Sequence, residues 1–406
     1  MILRARTVVT MTGPPIENGA VAVKGNRIRA VGTFSEVAAL FSGTILDLGE
    51  RVLMPGLINA HCHLDYTMLR RAIQPPHGFT AWVKRLNAIK RSLRDEDYLR
   101  AIQDGFAELR KWGTTTVLNI ESFPELMTRM PPPPIRTWWF YEMIDIRQRI
   151  TTEDLFDGAE IFFRKHSDWL GGFGLSPHAP YTASAGLYEL ASACARQDSM
   201  PVTTHLAESA EESAMFRQAS GPLYEFMKSL GRDMSDCGHG SPLKALLGRE
   251  LIGPDWIVAH MNEVDDSDFA LLEKTPVHVV HCPASHRYFG HQAFPMDRLR
   301  SIGINVSLGT DSLASNESLS LFAEMRHVRD NYPSVSPLET LEMATVKPAR
   351  ALRRPRDLGC IYPKARADLI ALPIEADGQT VFEEIIDFAG RVNWMMVNGQ
   401  VIQGIA

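Results

Sequence analysis

Pro55-Gly56-Leu57-Ile58-Asn59-Ala60-His61-Cys62-His63-Leu64-Asp65 is the stretch on which the fold turns. Leu57 to Ala60 is a short apolar run entered through a Pro-Gly turn, and as a buried strand it carries the chain inward. Period-two alternation then sends His61 and His63 to one face and Cys62 to the other. Two imidazoles on one face can share a metal ion. Taken alone, the pair is equally well read as two hydrogen-bonded core histidines. The rest of the chain decides, because it places further ligand-type residues at the ends of other apolar runs.

From His61 onward, strand-like and helix-like segments alternate. Phe79–Leu93 and Glu96–Trp112 carry apolar residues at helical spacing, and Thr114–Ile120 is a short β-branched run. Thr137–Ile144, Gly172–Ser176, Pro201–His205, Trp256–His260, Val277–His281 and Ile304–Leu308 read as further strands. Helical runs separate several of them, at Thr151–Lys165, Ala185–Gln197, Glu208–Leu230, Ser267–Glu273 and Pro295–Ser301. Eight such units from His61 make a (β/α)8 barrel, an α/β fold of the TIM type. A doubly wound sheet is the alternative. The barrel is preferred because the polar residues collect at the C-terminal ends of many strands, where barrels keep their sites.

The two ends of the chain are β-rich. Short runs at Ile2–Val9, Ala20–Lys24, Arg27–Val31, Thr44–Leu48 and Arg51–Met54, with a Gly25-Asn26 turn, cannot close a sheet alone. Ala367–Leu372 and Trp394–Ile402, the latter with an Asn398-Gly399 turn, supply the matching half. The predicted organisation is a β half-domain over 1–54, a barrel over 55–361 and a second β half-domain over 362–406, the halves joining in one small composite β-sandwich.

Composition narrows the function classes. The 406-residue chain is 45% hydrophobic and 22% charged, that of an ordinary globular protein, with a net charge of -6. That charge offers no field for nucleic acid or an anionic membrane, so a small molecule is the expected partner. Five scattered cysteines without a C-x-x-C pair fit reduced thiols. Met1 to Arg6 has no apolar leader character, and the cytoplasm is the expected compartment. A homodimer is the assembly to be tested.

The chemistry sits at the strand ends: His61 and His63, Ser176-Pro177-His178, Thr204-His205-Leu206-Ala207-Glu208, Ala259-His260, His281 to His286, and Gly309-Thr310-Asp311. Each buried polar group needs a partner, and one shared metal satisfies several together. Three neutral imidazoles and a carboxylate, His61, His63, His205 and Asp311, suit one Zn2+ or Fe2+ with a position open for water. Such a metal lowers the pKa of its water from about 15.7 to about 7. Asp311 can also accept the water's proton, Glu208 can carry a proton to the leaving group, and His260 can hold the nucleophile or polarise the substrate.

These motifs in this order resemble the amidohydrolase superfamily, in its deaminase and chlorohydrolase branch. They are His61-X-His63, His178 in Ser-Pro-His-Ala-Pro-Tyr, His205-Leu-Ala-Glu208, His260, His281-Cys-Pro-Ala-Ser-His286 and Leu308-Gly-Thr-Asp311-Ser-Leu-Ala-Ser-Asn316. The resemblance implies a mononuclear metal barrel that hydrolyses C–N, occasionally C–Cl, bonds on nitrogen heterocycles. It implies the same roles for His61, His63, His205, Asp311, Glu208 and His260. Ser176-Pro177-His178 stands where binuclear relatives carry a carboxylated lysine. More narrowly, His63-Leu64-Asp65 followed by Phe79-Thr80-Ala81-Trp82 is similar to aminofutalosine deaminase-like members, which take an adenine-bearing nucleoside.

The resulting expectation is a cyclic amidine deaminase with Trp82, Asp65, His178 and His281 near the substrate. Arg147 and Arg287, on loops at the open barrel face, are candidates for an anionic substituent. A chlorohydrolase, another C–N hydrolase of guanine, pterin or triazine type, and a non-catalytic metal-binding protein are the alternatives. Glu208 favours deamination, because ammonia leaves well only once protonated.

Overall fold

A computed structural model describes residues 1–74, 77–146, 151–375, 378 and 380–404. Its centre is a sheet of eight parallel strands in strict sequence order: Leu57–Cys62, Thr114–Glu121, Arg136–Met143, Gly171–Pro177, Val202–Leu206, Trp256–His260, His278–His281 and Asn305–Leu308. A parallel bridge between Cys62 and Asp311 brings the eighth strand back to the first and closes the barrel. The doubly wound alternative is thereby excluded, since it has no such closure.

The seam is built from particular residues. Asn59 Nδ2 donates to Thr310 Oγ1 at 2.7 Å, and the Thr310 N–H donates back to Asn59 Oδ1 at 3.2 Å. The Thr310 and Asp311 N–H groups also donate to the His61 carbonyl. Gly309 is required here: a Cβ at that position would lie 2.7 Å from His61 Cβ and 2.9 Å from its carbonyl oxygen. Cys62 points away from the histidine face, as the alternation predicts, into the buried core, where its sulfur accepts from Thr310 Oγ1.

The two chain ends form a second sheet, also of eight strands and hydrogen-bonded throughout. They meet where Leu369–Leu372 pairs antiparallel with Val52–Pro55, which in turn runs beside Ile2–Val8. Leu3, Val21, Ile28, Leu53, Leu369 and Trp394 share its core. A buried ion pair fastens this sheet to the barrel. Arg136, at the start of the third barrel strand, donates from Nε to Asp368 Oδ2 at 2.7 Å and from Nη2 to Oδ1 at 3.2 Å. Asp368 also accepts from the Asn398 N–H at 2.6 Å, so both its oxygens are used.

One expected helix is two. Glu208 to Leu230 divides into Ala210–Gln218 and Pro222–Ser229: Ala219, left-handed at φ +49°, ends the first helix, and Gly221 at φ +99° with Pro222 at the first helical position starts the next. The second of these lies over the barrel mouth, with Phe226 and Met227 in the wall of a cavity there. No helix among the described residues is long and apolar enough to cross a membrane.

Breaking a buried pair leaves an uncompensated charge, at a typical cost of about 3–5 kcal/mol. Arg136→Ala is therefore expected to lower the urea midpoint by that order with the slope unchanged. A midpoint equal to that of the parent chain would show that the Arg136–Asp368 pair does not hold the two sheets together.

Candidate metal centre and active site

Each barrel strand that bears a predicted site residue delivers it to the same end. His61 lies in the first strand, and His63 one residue beyond it. His205 lies in the fifth strand and Glu208 just after it; His260 closes the sixth, and Asp311 follows the eighth. Three of these exits need left-handed backbone at non-glycine residues: Ala207 at φ +50°, His260 at +76° with Met261 at +56°, and Asp311 at +54°. The strain is held by the hydrogen bonds Met261 N–H to Leu206 C=O and Asn262 N–H to Ala207 C=O.

The donor atoms converge. His63 Nε2 lies 3.2 Å from His205 Nε2, while Asp311 Oδ1 lies 3.7 Å from His61 Nε2 and 3.9 Å from His63 Nε2. His61, His205 and His260 form a second such set, with donor atoms all within 4.8 Å of one another. Separations of 3.2 to 3.9 Å are those of atoms sharing one ion through bonds of about 2.0–2.2 Å.

The rings are oriented from behind. His205 Nδ1 donates to the His178 carbonyl at 2.9 Å, which leaves Nε2 as the lone pair facing the cluster. His178 Nδ1 bonds Thr182 Oγ1 at 2.6 Å. Asp311 Oδ2 accepts from Ser285 at 2.8 Å and Ser315 at 2.9 Å, and Oδ1 accepts from the Ser312 N–H at 2.7 Å. By contrast, His61 Nε2 and His260 Nε2 are buried with no hydrogen-bond partner. Orphaned nitrogens of this kind are rare in a folded interior. Beside an ordered carboxylate, they fit a divalent cation.

Electrostatics agree with that fit. Burial, reinforced by the neighbouring imidazoles, holds His61 well below the ordinary histidine range. Burial likewise lowers His63 to about 4, His178 to about 3 and His260 well below its usual value. All are neutral at pH 7, as ligands must be. Burial works against ionisation of Asp311, but His260, His63 and the Ser285 hydroxyl outweigh it and keep the carboxylate below its usual range. Glu208 goes the other way: burial, with the charges of Asp311 and Glu212, pushes it well above the carboxylate range. Glu208 Oε1 lies 3.8 Å from His260 Nε2.

The cluster opens into a cavity of about 410 Å3, within the span of small-molecule sites. Its polar end is His63, His178, His205, Glu208, His260 and Asp311. Its other walls are largely apolar: Phe79, Trp82, Val83, Leu86, Ile144 and Tyr181, with Phe226, Met227 and Leu230 above.

Trp82 and His178 thus stand where a substrate would touch them, and other predicted contacts do not. The His281 ring stacks on Phe294 at 3.9 Å between centroids and does not line the cavity; its backbone carbonyl instead accepts from Gly309. Asp65 is fully buried beneath the wall. Arg287, on the helix Pro283–Phe289, lines a separate hollow with Arg71, Tyr288 and His327 and not this cavity. Arg147 lies outside the described residues. Among those described, Lys90 is the one cation in the cavity wall.

Two further residues at the site, Glu212 and Glu142, lie outside the set that the strand-end reading singled out. Glu212 accepts from the Ala207 N–H at 3.1 Å and the Glu208 N–H at 2.8 Å, fixing the turn that presents Glu208. Its place one helical turn after Glu208 is the only clue. Glu142, next to last in the third strand, satisfies the same rule as the histidines, a polar residue closing an apolar run.

Residues 52–402 match the sequence model of the Amidohydrolase family. The chain belongs to that family. Two similar curated proteins are both 5-methylthioadenosine/S-adenosylhomocysteine deaminases. The one from Pyrococcus furiosus is 29% identical over 83% of this chain and 76% of its own length; that from Syntrophobacter fumaroxidans is 30% identical over 89% and 81%. Among solved structures, this amidohydrolase superposes on a zinc-bound adenosine deaminase from Xanthomonas campestris with TM-score 0.81, 25% identity and coverage of 99% and 92%. It shares the fold of Helicobacter pylori aminofutalosine deaminase with TM-score 0.85, 21% identity and 99% coverage of both chains.

The geometry predicts a sharp contrast in metal retention. His205→Ala is expected to leave well under half an equivalent of metal after desalting, and His281→Phe a full equivalent, as read by elemental analysis. Equal loss in both variants would mean that the strand-end imidazoles act only in packing.

Proposed function

We propose that this amidohydrolase hydrolytically deaminates an adenine-type nucleoside, such as aminofutalosine, with one Zn2+ or Fe2+ held by His61, His63, His205 and Asp311. The observation that carries the reading is a buried Glu208 at the edge of a converged donor cluster, facing a largely apolar cavity of small-molecule size. The deaminase relatives and the zinc-bound neighbour support it.

A divalent cation bound there supplies Lewis acidity, making water acidic enough to attack near neutral pH. The chain's own residues do the rest. Trp82, Phe79 and Leu86 offer flat and apolar surface for a heterocycle and exclude bulk water. The Glu208 carboxyl donates its proton to the ring nitrogen or the departing amino group and, once ionised, takes another from the attacking water. His260 Nε2, 3.8 Å from Glu208 and neutral, hydrogen-bonds the attacking oxygen and fixes its approach. Asp311 Oδ2, seated on two serine hydroxyls, keeps its carboxylate ionised and in place while charge moves beside it.

Proton transfer by a positioned carboxyl contributes about 10^2 to 10^4 in rate. Glu208→Gln is expected to retain the metal and lose turnover by that factor, with ammonia release from adenosine-type, guanine, pterin and triazine substrates as the assay. Chloride released in preference to ammonia from paired chlorinated and aminated heterocycles would replace deamination with dechlorination. Full activity in Glu208→Gln would remove Glu208 from the mechanism.

A further inference from the structure

The chemistry above uses only part of the Cys282-Pro283-Ala284-Ser285-His286 motif. Ser285 bonds Asp311, but His286, the next residue of the short helix Pro283–Phe289, does not line the cavity. Its half-buried ring stands edge-on to His281, at 5.3 Å between centroids, and to Phe294, at 6.5 Å. From there its Nδ1 lies 3.0 Å from Asn262 Oδ1. Asn262, two residues past His260, is buried, and its Nδ2 donates to the Glu208 carbonyl at 3.0 Å. Its backbone N–H donates to the Ala207 carbonyl at 2.9 Å.

One side chain therefore ties the exit of the sixth strand to that of the fifth, and a histidine from the exit of the seventh holds that side chain. Asn262 has a donor end and an acceptor end, and the Glu208 carbonyl can take only the donor end. Oδ1 is left facing His286, whose Nδ1 must then carry a proton. Turned over, the amide would set its oxygen against the Glu208 carbonyl and its nitrogen against the imidazole N–H. His286 thus fixes which end of Asn262 meets Glu208. What depends on this is aim. Glu208 and His260 sit on or beside left-handed backbone at Ala207, His260 and Met261, and the tie keeps the two exits in register, with the side chains 3.8 Å apart.

We propose that His286 and Asn262 are positioning residues for proton transfer, acting by holding the Glu208 turn at a fixed distance and angle from His260. The inference rests on the reading of Glu208 as proton carrier and names what aims it. Adjacent residues of one helix then serve both carboxyls of the site, Ser285 on Asp311 and His286, through Asn262, on Glu208.

Two variants separate the hydrogen bond from the packing of the ring. H286F keeps a ring against His281 and Phe294 but has no donor; H286N keeps a donor near the place of Nδ1 and loses the ring. Ammonia release is followed in the metal-loaded enzyme with its fastest heterocyclic substrate. H286F is expected to lower kcat by about 10- to 100-fold, the order lost when a reacting group is misplaced by up to about 1 Å. Metal content and KM should hold, because the donor cluster and the apolar walls are untouched. H286N should stay within about threefold of the native kcat, and N262L, which removes both bonds at similar volume, should match H286F. An unaffected H286F, or an H286N impaired as much as H286F, overturns the proposal, as does a loss that appears in KM or metal content instead of kcat. The native chain decides even if a variant fails to fold: a heteronuclear NMR spectrum of histidine-labelled enzyme should show a proton on His286 Nδ1, and a bare Nδ1 overturns the tie. Full activity in Glu208→Gln would overturn the proton-carrier reading and the positioning role with it. An inactive Glu208→Gln beside unaffected H286F and N262L overturns the positioning role alone.

Discussion

Convergence of uncharged imidazole lone pairs in a buried, water-poor space is the constraint on which the molecule depends. A barrel interior rejects unpaired polar atoms, and this one collects them from the first, fifth and sixth strands. Two of the facing nitrogens have no protein partner. The fold tolerates that because other bonds fix the rings from behind: His205 on the His178 carbonyl, His178 on Thr182. The bonds behind the rings thus aim the lone pairs at one another.

The same requirement explains the backbone. A regular strand cannot place His260 or Asp311 at the cluster and continue into its loop without a sharp change of direction. Left-handed conformations at Ala207, His260, Met261 and Asp311 provide it at a cost of order 1–3 kcal/mol each. The neighbouring hydrogen bonds offset part of this cost. At the seam between the first and eighth strands, the Asn59–Thr310 pair and the missing Cβ of Gly309 let Asp311 approach His61. The residues that close the barrel are thus those that bring the carboxylate to the imidazoles.

Much of this was legible in the residues because it follows from short-period rules. Alternation in Leu57 to His63 separates the histidine face from Cys62, and repeated apolar runs with polar ends mark the barrel. What escapes is set by side-chain direction and by long-range contact. The cavity excludes His281 because its ring stacks on Phe294, a choice of rotamer and neighbour that no spacing encodes. Arg287 lines another hollow, and the helix that carries it, Pro283–Phe289, is less than two full turns long, too short for a periodic signal. The six-residue helices Pro337–Glu342 and Val346–Ala351 go unread for the same reason. Glu212 acts through backbone amides, which the sequence does not display.

Two carboxyls at one site end in opposite states, and the surroundings account for it. Asp311 receives two hydroxyls and an amide, and faces imidazoles; each of these favours the ionised form. Glu208 is pushed the other way, first by burial and then by the like charges of Asp311 and Glu212, well above the usual carboxylate range. Glu212 contributes twice, once through the amides that hold the Glu208 turn and once through the charge that opposes Glu208 ionisation. A pair of carboxyls driven apart in this way suits one to stay ionised and the other to carry a proton, from a single residue chemistry. That division of labour is what a hydrolytic deaminase requires, because an anion must steady the donor cluster while a proton moves first toward the heterocycle and then to the leaving ammonia.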